Sequence, residues 1–181
     1  ENFRKFATEY VSEFAECGID FIQFDDDFRY GHLEGGFCCI CENHLKWISN
    51  DLGEEVSEDF LIEKLTKGGE NKYRDSWLRA NGHFMELYAK EMREAVDSVN
   101  PEIRMGRCVC MTAWDMDGTN PVTIGRLLAG NTKPFIRLIG APYWAVNKSW
   151  GNRLQDVIEY SRMETSWMEN SGFEIFGEGD A

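Results

Sequence analysis

The sequence predicts an α/β fold built from repeated β-α units. Three observations predict it. Four mostly apolar runs near residues 19–25, 103–110, 135–140 and 173–178 have strand length, amphipathic helical segments separate them, and acidic or aromatic residues follow several of the runs directly. Strands that alternate with helices are joined by right-handed crossovers into a parallel sheet. A doubly wound sheet or part of a (β/α)8 TIM barrel satisfies the pattern. A full barrel needs about 250 residues and eight strands. On the barrel reading the 181 residues are therefore an interior slice, a single segment of a catalytic domain truncated at both ends, with strands near those four positions.

The elements follow in order. Phe3, Phe6, Tyr10, Val11 and Phe14 recur at helical spacing, and Gly18 stands where a left-handed residue closes a helix. Ile19 to Phe24 is mostly apolar, as suits a strand buried on both faces. Gly35, Gly36 and the cysteines that follow make a loop, and Glu42 to Leu52 reads as a short helix with Leu45 and Ile48 inward. Ser57 caps another short helix through Leu65, before a polar break at 67–71. Trp77, Phe84, Leu87, Tyr88, Met92, Val96 and Val99 form one stripe of a long helix that Asn100-Pro101 ends. The second strand, Ile103 to Cys110, leads into a loop rich in Trp and Asp. Asn120 as N-cap and Pro121 at the first helical position open a helix that closes near Gly130. The third strand runs from Phe135 to Gly140 and ends in Ala-Pro-Tyr-Trp. A helix from Asn152 to Glu169 leads through Gly172 to the fourth strand, which ends in Gly-Glu-Gly-Asp.

Composition narrows the function. With 43% hydrophobic and 13% aromatic residues the chain has material for one ordinary core. The net charge of −13 is spread along the chain and argues against nucleic acid or an anionic membrane surface as partner. No apolar stretch reaches the roughly 18 residues of a membrane span. The chain opens at Glu1 rather than Met and reads as a piece of something longer. Six cysteines at 17, 38, 39, 41, 108 and 110 include close neighbours that suit a disulfide framework poorly, so a reducing, cytoplasmic setting is expected.

Two carboxyl positions stand just past strands: Asp25, Asp26 and Asp27 after the first, and Glu178 after the fourth. Carboxylates at the carboxyl ends of parallel strands are where such folds keep their chemistry. Held close together, one of a pair stays protonated as an acid while the other stays anionic as a nucleophile, the division of labour of glycoside hydrolysis. Trp114, Tyr143 and Trp144 offer flat faces for a sugar ring. Arg29 is positioned to neutralise an Asp or to bind a substrate oxygen, with a plain ion pair the simpler role. Arg137 lies within the third strand, where a charge needs an interior acid. His32 and His83 read as a loop residue and a helix-surface residue.

The order of a strand ending in Asp-Asp-Asp-Phe, a Cys-x-Cys-x-x-His cluster, a Trp-led long helix ending through Arg93 to Asn100-Pro101, and a last strand ending in Glu resembles the second half of the family 42 β-galactosidases and their retaining relatives. The resemblance implies a (β/α)8 barrel from its third helix to its seventh strand. By it, Asp27 falls on the acid/base, Asp26 on the amide residue that contacts the sugar 2-hydroxyl, and Glu178 on the nucleophile. Asp27 is one methylene shorter than the family's Glu, and Asp26 is charged where the family has Asn. The resemblance also implies a structural zinc at Cys39, Cys41 and His44, whose thiolates and imidazole are good zinc donors. His44 stands in for the family's third Cys, and the fourth ligand comes from upstream or from Cys38. No cofactor is required for the chemistry itself.

The expected function is thus a β-galactosidase-like glycoside hydrolase with a carbohydrate substrate, no nucleic-acid or membrane partner, and room for a homo-oligomer at the open sheet edges. Two other readings compete. A barrel-derived protein without catalysis would bind carbohydrate or only scaffold. The run Asp115-Met-Asp117-Gly-Thr looks like the nucleophile motif of haloacid-dehalogenase-type phosphatases, although only about 60 residues follow it, too few for the remaining elements of such a domain.

Overall fold

The computed structural model describes residues 2–25, 28, 30, 39–67, 69–109, 118–138, 162, 166 and 168–177. In order, α1 (Asn2–Glu16), β1 (Phe21–Phe24), α2 (Glu42–Leu52), α3 (Glu58–Thr66), α4 (Lys72–Asp97), β2 (Arg104–Val109), α5 (Pro121–Ala129), β3 (Phe135–Leu138) and β4 (Glu174–Gly177) make an α/β chain. The four strands form one sheet in the order β1-β2-β3-β4, and every neighbouring pair is parallel. Each strand lies within its expected run; β1 begins two residues and β2 and β4 one residue later than expected, and positions 110, 139, 140 and 178 lie outside the described residues. Of the expected helix over 152–169, only Arg162 and Ser166 fall among the helical described residues.

The chain gathers into two compact units. The described residues of Glu1–Phe28, Tyr88–Met111 and Pro121–Ala181 form one, and those of Arg29–Leu87 and Thr112–Asn120 form the other. The continuous helix α4 contributes its first part to the second unit and its last turns to the first.

In the sheet unit, register decides which side chains share a face. Cys108 pairs with Arg137 and Gly106 lies beside Phe135, so one face carries Gln23, Gly106, Cys108, Phe135, Arg137 and Phe176. Gly106 has a steric reason. A Cβ there would meet the Phe135 ring at 2.5 to 2.7 Å, so glycine lets that buried ring lie flat on the strand. Phe21 stacks on the same ring at 4.2 Å. The opposite face supplies Met105, Val109, Ile136 and Leu138 to a core shared with Ile124 and Leu128 of α5.

Helix α1 forms where its spacing predicts, but of the five apolar residues that predict it only Val11 is buried. The helix's buried side is the small-residue stripe Ala7, Val11 and Ala15, while Phe3 remains 68% exposed and Phe6, Tyr10 and Phe14 are also exposed. Small residues four apart let a helix approach its support closely, and the aromatic stripe beside them then stacks on itself, Phe6 on Tyr10 at 5.9 Å and Tyr10 on Phe14 at 4.9 Å. With β1 these rings line an apolar groove of about 470 Å³.

In the helical unit, Ile48, Val56, Leu61, Trp77 and Ala80 form the core. Ser57 caps α3 through its hydroxyl, which accepts from the Phe60 amide, as its sequence position predicts. Asp51 of α2 accepts from both Ser76 and Arg79 of α4 and ties the two helices together. Among the described residues no helix is long and apolar enough to cross a membrane.

Candidate functional site

At the carboxyl edge of the sheet Arg137 meets an acid, though not an interior one: the Asp25 side chain is 68% exposed. Arg137 Nη2 donates to Asp25 Oδ1 at 2.9 Å, and its Nε lies 3.1 Å from Cys108 Sγ. Asp25 is the first residue past β1, so this ion pair joins the exit of the first strand to the third across 112 residues of sequence. Asp26, Asp27, Arg29, Trp114, Tyr143, Trp144 and Glu178 lie outside the described residues, as do Asp115 and Asp117.

The second site is one that the structure assembles from described residues. One donor atom each of Cys39, Cys41 and His44 lie within 4.8 Å of one another, a group that could hold a metal ion. Local geometry explains the convergence. Cys41 is the extended N-cap of α2, and His44 is the third helical residue. The N-cap and the third helical residue face each other at any helix start, and here Cys41 Sγ lies 3.3 Å from His44 Nδ1. Cys39 reaches the same point from the preceding turn of chain, held by the Trp77 indole, whose Nε1 donates to the Cys39 carbonyl at 3.1 Å.

His44 is 3% exposed, an unusual burial for a residue in the first turn of a helix. Its ring rests against Phe84 at 4.4 Å and meets the edge of Tyr30 at 5.6 Å. Burial pulls its pKa down from 6.5 to about 4; proximity of the Asn81 side chain opposes that shift and the charge of His83 adds to it. The ring is thus neutral at physiological pH and has a lone pair to offer. Burial pushes the Cys41 thiol up, but the backbone amides of His44 and Asn43 and the Cys39 thiol outweigh it, and the net shift is downward. A lowered thiol at a helix amino end is what a metal ligand needs. Burial raises Cys39, with the Cys41 charge adding to the shift.

The donor set fits zinc chemistry, two thiols and an imidazole. His44 Nδ1 is the ring nitrogen that faces the thiols, while Nε2 is buried with no hydrogen-bond partner among the described residues. Cys38 lies outside the described residues. The sequence reading singled out these three residues by their donor chemistry, and the structure brings them together. That reading missed Trp77 as the clamp on the loop and Asn81 as the polar residue behind His44. The only trace either leaves in the sequence is a carboxamide inside an otherwise apolar helical stripe.

No family model, curated protein or solved structure matches the chain.

Proposed function

We propose that the chain carries the acid/base and nucleophile strands of a retaining glycoside hydrolase of the (β/α)8 class. The observation that supports the reading is the all-parallel sheet in sequential order. In such a sheet the chain leaves every strand at the same edge, and in the sequence Asp25, Asp26 and Asp27 follow β1 and Glu178 follows Gly177 of β4. Three strand spacings separate β1 from β4, about 14 Å along a flat sheet. Closure of an eight-stranded barrel replaces that arc by a shorter chord, and the carboxyl groups of a retaining pair stand about 5 Å apart.

On this reading Glu178 attacks the anomeric carbon as Asp27 passes its proton to the departing glycosidic oxygen. Asp27 then takes a proton from water, which hydrolyses the glycosyl ester and frees Glu178. The engagement of Asp25 by Arg137 fits an acid role for a later member of the Asp run. Asp26, Arg29, Trp114, Tyr143 and Trp144 would contact the sugar. Zinc at Cys39, Cys41 and His44 would be structural, with no part in bond cleavage, and its thiolates suit a reducing, cytoplasmic setting.

The test is hydrolysis of a panel of aryl glycosides by the full chain, beside Glu178→Gln and Asp27→Asn. Turnover of one sugar by the wild type, lost in both variants and restored by azide only in Asp27→Asn, is the expected result. Turnover that survives Glu178→Gln would refute the assignment.

A further inference from the structure

We propose that Asn81 is the positioning residue of the Cys39, Cys41 and His44 centre: its side-chain carbonyl accepts Nε2–H of His44 and so leaves Nδ1 as the ring's donor to a metal ion. The inference rests on the reading of that cluster as a metal centre.

Asn81 is 0% exposed, in the middle of α4, and neither its Oδ1 nor its Nδ2 has a hydrogen-bond partner among the described residues. An unpaired carboxamide inside a core is costly, which makes it a feature that needs a reason. His44 Nε2 is orphaned and buried in the same way. Asn81 lies on α4 between Trp77, which holds the Cys39 carbonyl, and Phe84, whose ring lies 4.4 Å from that of His44, and the spacing 77, 81, 84 puts all three on one side of the helix, so the two orphans belong to the same packed region. Their chemistry is complementary, since a neutral imidazole carries one N–H and one lone pair, and a carboxamide oxygen accepts only from the former.

Helix α4 presents the two supports of the site on successive turns. Trp77 donates to the Cys39 carbonyl, and Asn81, four residues on, lies on the same side of the helix. The loop and the ring are thus held from one rigid element. A metal bound by Nδ1, the atom 3.3 Å from Cys41 Sγ, requires the proton on Nε2. An acceptor there fixes both the tautomer and the ring angle, which is how outer partners tune metal-bound histidines. Phe84 and Tyr30 pack on the ring with aromatic surface.

The experiment is ¹⁵N NMR of the His44 ring in the full chain, without metal and with zinc(II) added, paired with zinc affinity measured by competition with a chromophoric chelator. The wild type should show the Nε2–H tautomer in both states. Asn81→Leu, which keeps the volume and removes the acceptor, should weaken zinc binding by about 10- to 100-fold. Asn81→Asp, which keeps an acceptor oxygen, should restore it. An Nδ1–H tautomer in the metal-free wild type overturns the proposal, and so does equal zinc affinity in Asn81→Leu. If Asn81→Leu fails to fold, the wild-type tautomer decides alone. A wild type that binds no zinc defeats the metal reading itself, a result distinct from zinc binding that ignores Asn81.

Discussion

The Arg93 guanidinium, only 4% exposed, donates through Nη1 to the Ile103 carbonyl at 2.8 Å. The same nitrogen reaches the Leu128 carbonyl near the end of α5 at 3.4 Å, and Nε donates to Asp97 at 2.8 Å. One side chain thus satisfies the backbone entering β2 and the open end of α5. Removing it strands two buried carbonyls, while Asp97, whose side chain is 41% exposed, stays in reach of water. Arg93→Met should cost about 3 kcal/mol or more, read by urea denaturation. Arg4→Met, which breaks a half-exposed pair with Glu91, should cost under about 1 kcal/mol and lose even that in high salt. Similar costs for the two would remove the special role of Arg93.

Gly53 and Gly118 have nearly the same left-handed φ, 69° and 73°, but not the same surroundings. At Gly53, which ends α2, nothing lies within 4 Å of an added Cβ, whereas at Gly118 it would drive into the Leu78 backbone of α4. Gly53→Ala should therefore cost only the backbone strain, about 1 kcal/mol. Gly118→Ala adds an overlap with backbone that cannot swing away and should cost about 3 kcal/mol. Chemical denaturation of both variants separates strain from crowding. Equal losses would mean that the approach of Gly118 to Leu78 carries no constraint.

These relationships divide what a sequence reveals from what it hides. Strand positions were legible because apolar runs of strand length end at turn residues, and the parallel order follows from helices between them. The candidate donors were legible because they sit within six residues, and a helix start brings Cys41 and His44 together. The need of Arg137 for an acid could be read from a charge inside a strand, but its partner could not, since Asp25 lies 112 residues away. The buried side of α1 was not legible for a different reason. The four aromatics Phe3, Phe6, Tyr10 and Phe14 outweigh Ala7, Val11 and Ala15 in any apolar count, yet the small stripe is what permits close approach. Packing distance, not hydrophobicity, chose the face.

Zinc should raise the stability of the chain, because its ligands converge only in the folded state. At a free zinc concentration 100 times the dissociation constant the gain is about 2.7 kcal/mol. Calorimetry with zinc and with a chelator should show that difference as a shift in Tm. In Cys41→Ser most of the shift should vanish, since a hydroxyl is a poor zinc donor. A Cys17→Ser control, on a thiol outside the cluster, should leave it intact. An equal zinc response in Cys41→Ser would remove this thiol from the donor set.

The buried imidazole also sets a pH dependence for the metal-free chain. His44 titrates near 4 when folded against an ordinary value of 6.5. The folded state therefore prefers the neutral ring, and the unfolded chain takes up its proton first as pH falls. The stabilising contribution is fully present above about 6.5 and is lost progressively down to about 4, where the folded ring also protonates. The loss across that window is at most about 3 kcal/mol. Urea denaturation in chelator at several pH values between 7.5 and 4 should show it, superimposed on the general acid response of a chain with many carboxylates. His44→Gln carries the same carboxylates without the imidazole, so its curve supplies the reference. The wild type should fall more steeply than His44→Gln between pH 6.5 and 4, and parallel curves would show that His44 is not held neutral by its burial.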